Sequence, residues 1–98
     1  MPFSISGVSF RQNEITTLIG AHQLPVIFNA NIVPEPDNKY DVNAKKVMVG
    51  EYHVGYIPKG MTRGITDGLC QVEISYWNFK NIFIVNYLGE IDITKLDN

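Results

Sequence analysis

Cysteine is almost missing from this chain: Cys70 stands alone among 98 residues. One thiol excludes an intrachain disulfide and any zinc cluster built on cysteines, and it fits a reducing compartment. The only histidines, His22 and His53, lie far apart with no carboxylate or cysteine at ligand spacing, so no metal site is expected. No apolar run approaches the ~18 residues of a membrane-spanning helix. The opening MPFSIS carries no Lys, no Arg and no long apolar stretch, so a secretory signal is not expected either. Cations are also few. Lys and Arg number 8 against 10 Asp and Glu, a net charge of −2. That balance excludes a histone-like binder with a long duplex footprint, because such binding rests on many cationic contacts.

What remains is an ordinary globular composition, 45% hydrophobic and 18% charged. A chain of this length builds one core, so residues 1–98 are expected to form a single domain in the cytoplasm, with no membrane contact. The charge is unevenly spread. Residues 39–63 hold Lys39, Lys45, Lys46, Lys59 and Arg63 against Asp41 and Glu51, whereas residues 64–98 are dominated by Asp67, Glu73, Glu90, Asp92 and Asp97. A small local patch of that kind can hold one or two phosphates.

Alternation of apolar residues dominates the chain. Residues 4–10 read as a first strand, with Gly7 marking a bulge or a close backbone approach. Ile15, Leu18 and Ile19 then fall at helical spacing, with Asn13 as N-cap and Gly20 as the stop of a short helix over residues 13–19. Val26, Phe28, Ala30 and Ile32 alternate through a strand at 24–33, which Pro34 and Pro36 end. Strands at 45–49 and 52–57 flank Gly50-Glu51, a pair suited to a type II′ hairpin. The three glycines in residues 59–69 leave any helix there weak. Strands at 71–77 and 82–88 follow, joined near Asn78, with a turn at Gly89-Glu90 and a short strand or terminal turn at 91–96. One of Tyr76 and Trp77 is expected in the core. The sum is a mainly β fold: a small closed or partly open β-barrel of five or six strands with one or two short helices.

The chemistry-bearing residues crowd into one stretch, NKYDVNAKKVMVGEYHVGYIPK, at 38–59. Tyr40 offers a face for stacking on a base, an interaction worth about 1–3 kcal/mol that tolerates any sequence. Asp41 would repel a phosphate, yet it can accept a charge-assisted hydrogen bond from a hydroxyl. Structural roles for the same residues are equally concrete. Tyr40 can cover the barrel mouth, and Asn38, Asp41 and Asn43 can bond nearby backbone as turn formers. Lys45 and Lys46 alternate in a strand, so only one can face a groove. Phe10 and Tyr56 can pack or stack. Cys70 reads as a small buried apolar residue. The segment GMTRG lacks the GxxxxGK[ST] pattern of a phosphate loop, and no nucleophile–base pair is visible, so neither catalysis nor a cofactor is expected.

Three blocks occur in order: ISGVSFRQ at 5–12, EPDNKYDVNAKKV at 35–47 and VGYIPK at 54–59. Together they resemble the HIRAN domain, a small β-rich module found beside SWI/SNF-type ATPases and as a stand-alone bacterial or phage protein. The resemblance runs from about residue 4 to residue 88. It implies a barrel related to the OB and SH3-like barrels that binds single-stranded DNA and captures a free 3′ end. Carried onto this chain, it implies a binding surface of Phe10, Arg11, Asn38, Tyr40, Asp41, Lys46, Tyr56 and Lys59, acting without catalysis in DNA repair or stalled-fork processing. Two departures stand out. Phe10-Arg11 replaces an aromatic pair, although a guanidinium plane can also stack. Lys39 replaces the proline of the family's Asn-Pro-Tyr-Asp loop and makes that loop more cationic. Partners implied are single-stranded DNA or DNA ends and a DNA-processing protein, and the free strand edges of so short a barrel can also pair with a second copy of the chain. The competing expectation is a protein-interaction adaptor or phage accessory factor without nucleic-acid affinity.

Overall fold

Among the described residues, six antiparallel strands form one sheet, in the order β1-β6-β5-β2-β3-β4. The computed structural model describes residues 2–91. Along the chain run β1 (Phe3–Ser4), a 3-10 turn (Val8–Phe10), α1 (Gln12–Ile19), β2 (Val26–Pro34), β3 (Lys45–Val49), β4 (Tyr52–Tyr56), a 3-10 helix (Lys59–Gly64), β5 (Gly68–Trp77) and β6 (Ile82–Glu90). The mainly β class and the barrel-like curl are as expected from the alternation.

The sheet curls because its inward residues must bury one another. Ala30 and Ile32 of β2, Val47 and Val49 of β3, Val54 of β4, Cys70, Val72 and Ile74 of β5, and Val85 and Tyr87 of β6 form one core. Each fully buried Ile or Val contributes about 1.5–3 kcal/mol relative to exposure. Ile15 and Ile19 carry the apolar stripe of α1 into the same core. Burial pushes the Cys70 thiol up to about 11, so it stays protonated and inert at neutral pH.

Closure depends on the segment that begins at β1. Phe3 and Ser4 pair with Tyr87 and Asn86 of β6, and the Ile5 N–H donates to the Val85 carbonyl at 2.8 Å. One residue on, Ser6 turns to the opposite edge of the sheet and exchanges two backbone hydrogen bonds of 2.9 Å with Tyr56 of β4. The remaining gap between β4 and β6 is filled by α1. There the Gln12 amide acts as a stand-in for a strand. Its Oε1 accepts the Phe83 N–H at 2.9 Å, and its Nε2 donates to the carbonyls of Phe83 at 3.0 Å and Val8 at 2.9 Å. The barrel is thus partly open in backbone pairing and sealed by one helix.

Several boundaries differ from the sequence reading, each for a physical reason. The first strand stops at Ser4 because the chain leaves β6 after Ile5 for the β4 edge at Ser6, and Gly7, at φ +74, then ends extension and starts the 3-10 turn. Phe10 therefore leaves the core and is 86% exposed. The helix N-cap is Arg11 rather than Asn13, without a side-chain cap, since Gln12 is already needed to bond β6. Gly20 is the stop, as expected. Gly89-Glu90 is no turn. β6 continues through Glu90, and the extra residue is absorbed as a bulge where the register shifts between Gln71 and Val72. Neither Tyr76 nor Trp77 is in the core, at 40% and 43% exposure, because the β5–β6 hairpin projects beyond it. Of the segment expected at 91–96, all but Ile91 lies outside the described residues.

Gly55 is the residue that closure requires. A Cβ there would lie 2.6 Å from both the Ile5 Cγ2 and the Ser6 carbonyl oxygen. Gly55→Ala is expected to destabilise the protein by about 1–3 kcal/mol through overpacking, read as a lower urea midpoint at unchanged slope. Gly60→Ala is the control, since a Cβ at Gly60 meets nothing within 4 Å.

Candidate functional site

The loop between β2 and β3 is held by side chains rather than by a ladder. Asn38 Oδ1 accepts the backbone N–H groups of Tyr40 at 2.9 Å and Asp41 at 3.0 Å. Its Nδ2 donates to Glu35 Oε1 at 2.6 Å. The same Oε1 accepts the Tyr56 hydroxyl at 2.9 Å. Asp41 Oδ1 accepts the Asn43 N–H at 2.9 Å, and the Glu35 N–H closes the loop on the Ala44 carbonyl at 2.9 Å. Asn38 is therefore a turn former whose amide stiffens the loop, a role that its type favours.

That bonding directs two side chains outward. Tyr40 is 83% exposed, with Lys39 Nζ 5.3 Å from its ring centroid. Asp41 keeps its second oxygen, Oδ2, free of hydrogen-bond partners among the described residues. Two cavities meet at Asp41. The smaller, about 310 Å³, is lined by Asn38, Tyr40, Asp41, Tyr56, Ile57 and Lys59, together with Ser6 and Ala44. The larger, about 600 Å³, lies beyond Asp41 and Lys59 and is lined by Lys45, Thr62, Arg63 and Asp67 among others.

Five of the eight residues expected at a binding surface thus share the smaller cavity: Asn38, Tyr40, Asp41, Tyr56 and Lys59. Phe10, Arg11 and Lys46 line neither cavity. Arg11 is tied to Glu14 by a 3.1 Å ion pair. Lys46 stands opposite Tyr56 in the β3–β4 register. Of the two strand lysines it is Lys45, not Lys46, that reaches a cavity, and there its Nζ is spent on Asp67 Oδ1 at 3.0 Å and the Ile65 carbonyl at 2.6 Å. Glu35 was not legible as a site residue, and Arg63 was legible only as one cation of the 39–63 patch. Glu35 acts on Tyr56 across 21 positions, and Arg63 sits in a glycine-containing stretch whose weak helical signal gives its side chain no direction.

Electrostatics follow the geometry. Donation by Asn38, then by Tyr56, holds the Glu35 carboxyl below its ordinary value of 4.5. Burial, then the hydrogen bond to Glu35, pushes the Tyr56 hydroxyl up, so it remains a donor at neutral pH. On the outer side of β4, His53 packs edge-on to Tyr56 at 4.8 Å, and its Nε2 lies 2.9 Å from the Gly55 carbonyl. Burial, then the Arg11 charge, keeps the imidazole below its ordinary range. It is therefore neutral at neutral pH, with Nε2 as the donor.

A second aromatic surface lies at the other end of the sheet. In the β2–β5 register, Ile32 meets Gly68 near the loop end and Val26 meets Ile74 near the far end, so the β5–β6 turn is remote from Asp41. There Trp77 and Phe79 stack at 6.3 Å, and Lys80 Nζ lies 5.4 Å from the Trp77 ring. Among the described residues no group of His, Cys, Asp and Glu is arranged to hold a metal, and no helix is long and apolar enough to cross a membrane. Comparison of the chain with family models, curated proteins and solved structures returns no match.

The Glu35 network gives a pH-dependent stability with a defined sign. A carboxyl held below its ordinary 4.5 in the folded protein stabilises fully above that value, and the contribution is lost as pH falls through the lower folded value. Glu35→Ala is expected to reduce stability at neutral pH by about 1 kcal/mol, or roughly 4–8 °C in Tm. The two melting curves should converge in acid. Thermal scans of both proteins across that range check it, and a constant difference would rule out the ionised Glu35 as the cause.

Proposed function

We propose that this chain is a HIRAN-like, non-catalytic module that binds single-stranded DNA at a free 3′ end. One observation carries the reading: exposed Tyr40, the free oxygen of Asp41 and the Lys59 side chain converge on one cavity. A terminal nucleotide offers a base, a sugar hydroxyl and a phosphate on its 5′ side. Tyr40 supplies a stacking face, Asp41 an acceptor for the hydroxyl, and Lys59 a cation for the phosphate. An interior nucleotide presents a phosphodiester in place of the hydroxyl, and Asp41 repels it. The order of the three sequence blocks supports the family resemblance, and with it a cytoplasmic role in DNA repair or at stalled forks.

The β5–β6 hairpin favours a second reading, that of a protein-interaction adaptor. Trp77 and Phe79 are exposed there at 43% and 84%, and aromatic residues of this kind anchor protein interfaces.

Tyr40→Ala is expected to weaken binding of a short single strand by about 1–3 kcal/mol, roughly fivefold to 150-fold in Kd. Asp41→Asn should erase the preference for a 3′-hydroxyl over a 3′-phosphate while leaving much of the affinity. Fluorescence anisotropy at low salt with the two strands checks both. If neither substitution changes binding, the site is wrong. If the wild-type protein binds no strand, the adaptor reading gains, and a partner captured by the wild-type protein but lost with Trp77→Ala would support it.

A further inference from the structure

The larger cavity has no role in the reading so far, and its charge pattern is specific. Three cations line it, Lys45, Lys59 and Arg63, facing Asp41 and Asp67. Lys45 and Asp67 neutralise each other at 3.0 Å, and Lys45 is further held by the Ile65 carbonyl. Lys59 and Arg63 form no ion pair among the described residues, and both are exposed. The surplus in the cavity is therefore one positive charge once Asp41 is counted, which suits a phosphodiester. Lys59 and Arg63 both belong to the Lys59–Gly64 helix, whose Thr62 is buried and donates from Oγ1 to the Lys59 carbonyl at 3.3 Å. At about 600 Å³ the space is in the range that holds small ligands.

We infer that this cavity is the phosphate side of the strand-end site, and that Arg63 is a nucleic-acid-binding residue that grips a backbone phosphate alongside Lys59. The inference rests on the strand-end reading above and extends it. A nucleotide is ordered base, sugar, phosphate. The structure is ordered in the same sense: an aromatic cavity with Tyr40 and Tyr56, a divide at Asp41 and Lys59, then a cationic cavity with Arg63. A sugar at the divide puts its base in the first cavity and its 5′ phosphate in the second. The guanidinium fork of Arg63 matches phosphate oxygens in a way that a lysine does not. Gly60 lines the same space, and a Cβ there would meet nothing within 4 Å.

The test is a salt titration of a short oligothymidylate with a free 3′-hydroxyl, on wild type, Arg63→Gln and Gly60→Glu. Loss of one phosphate contact on a single strand reduces the slope of log K against log salt by about 0.7. Arg63→Gln is expected to show that reduction, with weaker binding, an unchanged Tm and an unchanged preference for the 3′-hydroxyl. Gly60→Glu places a carboxylate in the cavity and is expected to weaken binding more than Arg63→Gln. If both variants keep the wild-type slope and affinity while Tyr40→Ala weakens binding, the strand-end reading stands and the phosphate assignment is overturned. If the wild-type protein binds no strand, both fall together.

Discussion

Two backbone hydrogen bonds between Ser6 and Tyr56 hold the rest of the molecule in place. A six-stranded sheet has two edges, and a small antiparallel sheet with bare edges is prone to pair with other chains. Here one short segment reaches both edges, with β1 on β6 and Ser6 on β4. Gly55 makes the approach possible by leaving out a Cβ. The consequences then run outward. Closure sets the backbone of Tyr56, the Tyr56 hydroxyl sets Glu35, Glu35 sets the Asn38 amide, and Asn38 fixes the backbone that presents Tyr40 and Asp41. A surface loop with no ladder of its own thereby inherits its order from the barrel.

That dependence explains why structural and functional roles are interleaved in residues 38–59. Asn38, Ala44 and Gly55 look like parts of a binding motif, yet each serves packing or loop geometry: a side-chain turn, a buried methyl and an absent Cβ. Tyr56 does both, since it lines the smaller cavity while its hydroxyl is committed to Glu35. Among the described charged and aromatic side chains that line the two cavities, Tyr40, Lys59 and Arg63 make no hydrogen bond or ion pair, and one oxygen of Asp41 is left free.

Local patterns were legible and distant partnerships were not. The alternation of Val26, Phe28, Ala30 and Ile32 foretells β2, and the stripe of Ile15 and Ile19 before Gly20 foretells α1, because both signals are periodic over a few residues. Gly50 takes φ +57 in the β3–β4 turn, as the Gly-Glu pair leads one to expect. By contrast, Gln12 substitutes for a strand against Phe83, and Glu35 accepts from Tyr56. Nothing in a single sequence links positions so far apart. The larger cavity was hidden for the same reason. Lys45, Arg63 and Asp67 come from the start of β3, the 3-10 helix and the approach to β5, and only the curl of the sheet gathers them. Phe10 shows the opposite failure, where a pattern continued one turn past the glycine that broke it.

A net charge of −2 looks unpromising for a nucleic-acid ligand, but on the proposed reading it serves selectivity. Nonspecific affinity for a strand interior scales with the number of phosphates neutralised. A broad basic face would bind interior and end alike. With Lys59 and Arg63 the only cations free of an ion pair among the described residues that line the cavities, interior binding stays weak. Asp41 then discriminates by sign: a terminal hydroxyl donates to it, whereas a phosphodiester at the same place brings a like charge. At an effective dielectric of about 20, two such charges 4 Å apart repel by roughly 4 kcal/mol, before nearby cations and salt reduce it. The donated hydrogen bond, charge-assisted, is roughly twice as strong as a neutral one. Both effects favour the end, and neither requires a further positive charge. An acidic protein with one carboxylate held between an aromatic cavity and a cationic one is thus better suited to select an end than to coat a strand.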